Sequence, residues 1–143
     1  LSLGGSLKRK EKLSGRFADV LSWLYLGAAT LRRFEAEGRQ PQDLPLVHWA
    51  MRYAFAQMQE AFEGIVCNLE IPVLGGWWRS AMRLGWRLNP IGTLPSDLLG
   101  SQVAQILQQP GSVRDRLTQG IYLPTDLQQA LGRIEHAFAL VHQ

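Results

Sequence analysis

Apolar residues recur at intervals of three and four along the whole chain, and nowhere do four to eight residues alternate in the manner of a strand. Only a helix places residues three and four apart on one face, so the pattern predicts an all-α protein. Proline and glycine divide it into pieces. After Gly4 and Gly5, Ser6 is expected to cap a first helix whose apolar positions are Leu13, Phe17, Val20, Leu24, Ala28 and Leu31, with Gly38 as its stop. Asp43 is expected to cap a second, long helix with Pro45 in its first turn. That helix would bury Val47, Ala50, Met51, Ala54, Met58, Ala61, Ile65 and Leu69, with Phe55, Phe62 and Val66 widening the stripe, and end at Pro72. A third runs from Val73 to about Leu88, where Asn89-Pro90 and Gly92 break it. Ser96 caps a fourth carrying Leu98, Leu99, Val103, Ile106 and Leu107, which stops at Pro110-Gly111. A short helical turn over Ser112 to Thr118 follows, and Thr125 caps a last helix with Leu127, Leu131, Ile134, Phe138 and Val141 on one face. Five or six such helices predict one helical bundle, a single domain over residues 1–143.

A chain of 143 residues has room for one domain and can bury roughly 70% of its unfolded surface. With 46% hydrophobic and 19% charged residues, a packed core is expected. Fifteen basic against twelve acidic residues leave a net charge of +3, too small and too scattered for a dedicated nucleic-acid binder, so no nucleic-acid partner is expected. The single cysteine, Cys67, forms no internal disulfide, and a reducing cytoplasm is the expected location. The longest apolar run, Val20 to Leu31, falls short of the roughly 20 residues that cross a bilayer. Lys8, Arg9 and Lys10 ahead of it mimic a secretory signal, but Glu11 and Asp19 intervene. The chain opens at Leu1 without an initiator methionine, and Lys8, Arg9, Lys10 and Lys12 crowd the positive end of the first helix. Acidic groups on a partner would relieve that crowding, so the chain is expected to be part of a longer protein.

The sequence offers little to catalysis. His48, His136 and His142 are the only histidines, and no two stand four apart as a zinc helix requires. No glutamate is followed three residues on by histidine, as a carboxylate-bridged di-iron bundle requires. Glu60 and Glu63 mark the solvated edge of an apolar helix rather than an acid–base pair. Cys67 becomes a nucleophile only beside an imidazole and an electropositive site, and is otherwise a small buried hydrophobe. No glycine pair continues into a phosphate-cradling loop. No catalytic, nucleotide-binding or metal-binding residue is therefore singled out.

The segment from Val73 to Leu88 stands apart. On a helical wheel Leu74, Trp77, Trp78, Ala81, Leu84, Gly85 and Leu88 gather on one face, with Arg79, Arg83 and Arg87 opposite at spacing four and Trp86 on the flank. No acidic residue lies between Glu70 and Asp97. Tryptophan favours the boundary between acyl chains and headgroups, and arginine pairs with phosphates, so the segment suits a helix lying in an anionic membrane surface. It equally suits a helix that packs its indoles into another protein surface. A second basic group, Lys8, Arg9, Lys10, Lys12 and Arg16, is read as a solvated or partner-facing helix end that can also contact phosphate.

Several strings carry a family resemblance. Leu3-Gly4-Gly5-Ser6-Leu7-Lys8-Arg9-Lys10-Glu11-Lys12-Leu13-Ser14, continuing through Asp19-Val20-Leu21-Ser22 and Leu24-Tyr25-Leu26, resembles the carboxy-terminal region of the large bacterial acyl-CoA dehydrogenases of fatty-acid β-oxidation. Asp43-Leu44-Pro45-Leu46-Val47-His48-Trp49, Arg114-Asp115-Arg116-Leu117-Thr118 and Gly120-Ile121-Tyr122-Leu123-Pro124 are similar to the same family in the same order. The resemblance implies a parent flavoenzyme that removes hydrogens from the α and β carbons of an acyl-CoA, with a carboxylate base and FAD. This chain would be its helical accessory end, non-catalytic alone and binding no FAD itself. Its implied partners are the dehydrogenase core of the same parent chain and, by analogy with the very-long-chain enzymes, an anionic membrane surface reached by the tryptophan–arginine helix. The implied location is cytoplasmic, peripheral at the inner membrane. The alternative is a free-standing helical module that binds a protein partner or an anionic membrane.

Overall fold

The structure, a computed structural model, describes residues 10–69 and 76–142. They form six α-helices: α1 Glu11–Ala36, α2 Leu44–Asn68, α3 Trp77–Leu88, α4 Asp97–Gln108, α5 Ser112–Thr118 and α6 Ala130–Val141, with a 3-10 turn at Pro41–Asp43 before α2. Among the described residues there is no strand, and the chain is all-α, as its periodicity predicts. The expected cap Ser6, the expected break at Pro72 and the expected start of the third helix at Val73 lie outside the described residues.

Helices α1 and α2 pair in antiparallel fashion. Gly38 takes a left-handed conformation (φ 83°), which glycine adopts without steric cost, and ends α1 where the sequence places the stop. The amide of Gly38 donates to the carbonyl of Glu35, and that of Arg39 to the carbonyl of Phe34, so the last carbonyls of α1 are satisfied and the chain turns back. From there the register brings Gly27 against Met51 and Ala54, Trp23 against Tyr53, and Arg16 against Gly64. Asp43 stands at the entry to α2, but the 3-10 turn carries the chain in and the Asp43 side chain makes no capping bond to the helix.

The apolar core runs along this seam: Leu13 from α1, and Val47, Ala54, Met58, Ala61, Ile65 and Val66 from α2. The stripe expected on α2 is therefore the stripe that is buried. The stripe expected on α1 is met only at Leu13 and Val20, because Phe17, Leu24, Ala28 and Leu31 are exposed, Leu24 to 55%. What α1 turns toward α2 is Leu13, Val20, Gly27 and Phe34, spaced by seven, with Trp23 and Thr30 between them. A seven-residue repeat keeps one narrow seam facing a partner helix. Gly27 makes the close approach possible, since a Cβ there would stand 3.5 Å from Met51 Sδ. Trp23 meets Tyr53 edge-on at 5.4 Å, and Tyr53 in turn stacks on Trp49 at 5.1 Å.

Packing divides the chain into two compact units between Leu99 and Gly100. In the first, Ser96 caps α4 as expected, accepting the Leu99 amide at 3.3 Å. In the second, α5 and α6 are tied by Arg114, whose guanidinium donates to both Glu135 oxygens at 3.0 and 3.1 Å and covers the Phe138 ring at 4.2 Å. Helix α6 begins at Ala130 rather than behind Thr125. The Asp126 carboxylate accepts the Gln128 amide at 2.8 Å, closing a turn that competes with helix, and Gly132 lies directly on the Asp126 carbonyl where a side chain would not fit. Leu127 consequently precedes the helix, and Leu131, Ile134 and Val141 are exposed.

Candidate functional site

Helix α3 is held to α2 at two points. Arg83 Nη2 donates to Cys67 Sγ at 3.0 Å. Beyond the helix, the Ile91 amide donates to Gln59 Oε1 at 2.9 Å, while Gln59 Nε2 donates to Glu63 Oε1 at 2.6 Å. Gln59 is one of the few buried polar residues, and these two bonds satisfy both ends of its amide. Gly92 then presses against the backbone of Phe55 and Ala56, a contact that leaves no room for a Cβ. Between the two helices lies an open groove of about 550 Å³, walled by Gln59, Glu63 and Cys67 on one side and Arg83, Trp86 and Arg87 on the other.

These anchors fix which way α3 faces. The wheel separates an indole–leucine face from an arginine edge, and it is the edge with Arg83 and Trp86 that meets α2. The apolar face points outward: Trp77 is 70% exposed, Leu84 58% and Leu88 77%, with Ala81 and Gly85 open beside them. Leu74 lies outside the described residues. Trp78 and Arg79 are half-buried, and Trp78 Nε1 and Arg79 Nε are shielded from water without a hydrogen-bond partner. A surface helix of a self-sufficient globular protein turns its apolar stripe inward, and α3 does the reverse.

Cys67 is half-buried, not the inert buried hydrophobe the sequence suggests, because the Arg83 guanidinium reaches its sulfur. That hydrogen bond and the Coulombic pull of the Cys67 sulfur, with the nearby Glu63 carboxylate, outweigh desolvation and hold Arg83 above its ordinary value. Glu60 and Glu63 are exposed, on the solvated edge where the sequence places them.

The basic cluster forms a separate feature. Lys8 and Arg9 lie outside the described residues. Lys10, Lys12 and Arg16 line a second open groove with Glu11, Leu13 and Asn68, also of about 550 Å³, where the start of α1 meets the end of α2. Because Asn68 follows Cys67, this groove opens at the same end of the helix pair to which Arg83 is fastened.

Among the described residues, no three His, Cys, Asp or Glu side chains converge as metal ligands, and no helix is long and apolar enough to cross a membrane. The sequence reading passes over Gln59 and Gly92, which position α3. A glutamine inside an otherwise apolar helical stripe is the one signal that points to Gln59. Nothing local distinguishes Gly92 from any loop glycine.

No solved structure matches the chain. A family model described as the acyl-CoA dehydrogenase C-terminal domain of bacterial type matches residues 1–143, the whole of the sequence. With that match the resemblance carried by the strings from Leu3 to Pro124 becomes a membership: the chain belongs to the bacterial-type acyl-CoA dehydrogenase C-terminal family.

Proposed function

We propose that the chain is the accessory helical end of an FAD-dependent acyl-CoA dehydrogenase of fatty-acid β-oxidation. It takes no part in hydrogen removal, supports assembly with the dehydrogenase core of its parent, and holds the enzyme at an anionic membrane surface on the cytoplasmic side. Membership in the family makes the parent an oxidoreductase. The residues of the α3 groove do not fit a flavin, which needs flat apolar walls for its ring. This groove is open and edged by Glu63, Arg83 and Arg87, with a single indole, Trp86. On this reading flavin and the carboxylate base belong to the core, and no step of the reaction runs through this chain.

One observation carries the membrane reading: α3 is fastened by its arginine edge and presents Trp77, Leu84 and Leu88 to the outside. Fully burying one large apolar side chain is worth about 1.5–3 kcal/mol, so three of them entering the headgroup boundary give reversible attachment, reinforced by the screened attraction of the exposed Arg87 for anionic lipid. Long acyl-CoA substrates partition to the same surface, so an enzyme held there meets them at higher local concentration. The test is co-sedimentation of the full-length protein with vesicles of phosphatidylglycerol and phosphatidylcholine. Trp77→Ser with Leu84→Ser and Leu88→Ser is expected to reduce the bound fraction at least about tenfold with an unchanged circular dichroism spectrum. Unchanged binding removes the membrane role. Loss of association with the dehydrogenase core in the same variant, with no vesicle binding by either form, assigns the face to protein docking instead.

A further inference from the structure

We propose that the groove between the start of α1 and the end of α2 is a binding site for a phosphate group. Lys10, Lys12 and Arg16 supply three cations to its walls against one carboxylate, Glu11. Lys12 and Arg16 are four residues apart and share a face of α1, where like charges repel and the positive pole of the helix adds to the repulsion. Among the described residues neither forms a salt bridge. An anion in the groove turns this local repulsion into attraction.

The groove is ordered by one residue, Gly64. Its missing side chain leaves the space that Arg16 Nε and Cδ occupy, so the guanidinium stem lies across α2. Its carbonyl accepts Asn68 Nδ2 at 2.7 Å, which fixes the amide on the opposite wall. Two of the groove's polar groups are thus held before any ligand arrives, which lowers the ordering cost of binding. A guanidinium offers a planar fork and a lysine ammonium a point charge, a combination suited to the tetrahedral oxygens of a phosphate monoester or diphosphate. The chemistry is shared by two sources, a phosphate-bearing solute and an anionic lipid headgroup. The inference does not rest on the membrane reading of α3, because no residue of α3 lines this groove.

The experiment uses the full-length protein and two probes: pyrophosphate in solution, followed calorimetrically at low ionic strength, and phosphatidate vesicles against phosphatidylcholine vesicles. Lys12→Gln with Arg16→Gln is expected to weaken binding about tenfold or more, the size of one lost charge-assisted hydrogen bond. Gly64→Ala changes no charge but displaces Arg16, and is expected to weaken binding severalfold. Lys12→Gln alone, at an exposed position, keeps the test valid if the double variant unfolds. Loss of pyrophosphate binding in these variants supports the site and identifies a soluble ligand. Binding to phosphatidate vesicles only, lost in these variants and retained when Trp77, Leu84 and Leu88 are replaced by serine, supports the site and identifies a headgroup. Binding of neither probe, or equal binding by wild type and variants, overturns it.

Discussion

Two glycines near α3 face opposite consequences from the same substitution. At Gly92 a methyl group would meet the Cβ and carbonyl carbon of Phe55 and the amide of Ala56, all in or next to the backbone of α2, which cannot yield as a flexible side chain can. Gly92→Ala is expected to lower the unfolding free energy by about 1–3 kcal/mol in urea titrations, by forcing the Pro90–Gly92 segment off α2. At Gly85, inside α3, nothing lies within 4 Å of the same methyl group. Gly85→Ala should stabilise the helix by up to about 1 kcal/mol by restricting the unfolded backbone, visible as a higher helical signal and melting temperature. The sequence marks both positions as glycine and no more. Their difference depends on Gln59, whose amide brings Ile91, and with it Gly92, onto α2 across 32 positions.

At the level of elements, the helices and most of their ends are legible in the sequence, because turn chemistry acts locally: Gly38 ends α1, Ser96 caps α4, and the short Ser112–Thr118 helix is where its flanking residues place it. The facing of a helix is less legible when it carries more than one apolar stripe. Helix α1 has large residues at Phe17, Leu21, Leu24, Tyr25 and Leu31, and smaller or mixed ones at Leu13, Val20, Gly27 and Thr30. The stripe expected from the sequence mixes the two, Leu13 and Val20 with Phe17, Leu24, Ala28 and Leu31, whereas the pairing with α2 selects the second, because the small Gly27 lets the two backbones approach. Gly27→Leu is expected to cost about 1–3 kcal/mol by driving a side chain into Met51 and Ala54, while Leu24→Gln should leave stability within about 0.5 kcal/mol. Thermal unfolding of the two variants side by side checks the assignment. If Leu24→Gln proved the more damaging, the large-residue stripe would be the one that faces α2.

Across the whole molecule, composition promises more core than the chain builds. Among the described residues the buried hydrophobic core is seven side chains, all on the seam of α1 and α2, and no large side chain is fully buried. Leu21, Tyr25, Trp77, Leu88, Leu98, Ile134 and Val141 remain exposed in four different helices. Exposed apolar area on this scale is characteristic of surfaces that another molecule covers. For a chain that belongs to a dehydrogenase C-terminal family, the expected cover for α1 is the parent's dehydrogenase core. A partner that binds only the folded form stabilises it in proportion to the logarithm of its effective concentration, and tethering in one chain makes that concentration high. The chain joined to its core is therefore expected to melt several degrees above the chain alone. Backbone hydrogen exchange should also slow around Leu21 to Tyr25 when the core is present, while the centre of α2, already protected by the seam, changes little. The local pattern matters more than the melting temperature, since any favourable contact raises the latter. Protection confined to α4 or α6 would move the docking surface off α1, and equal exchange at every amide with and without the core would mean that the outer stripe of α1 is left in water.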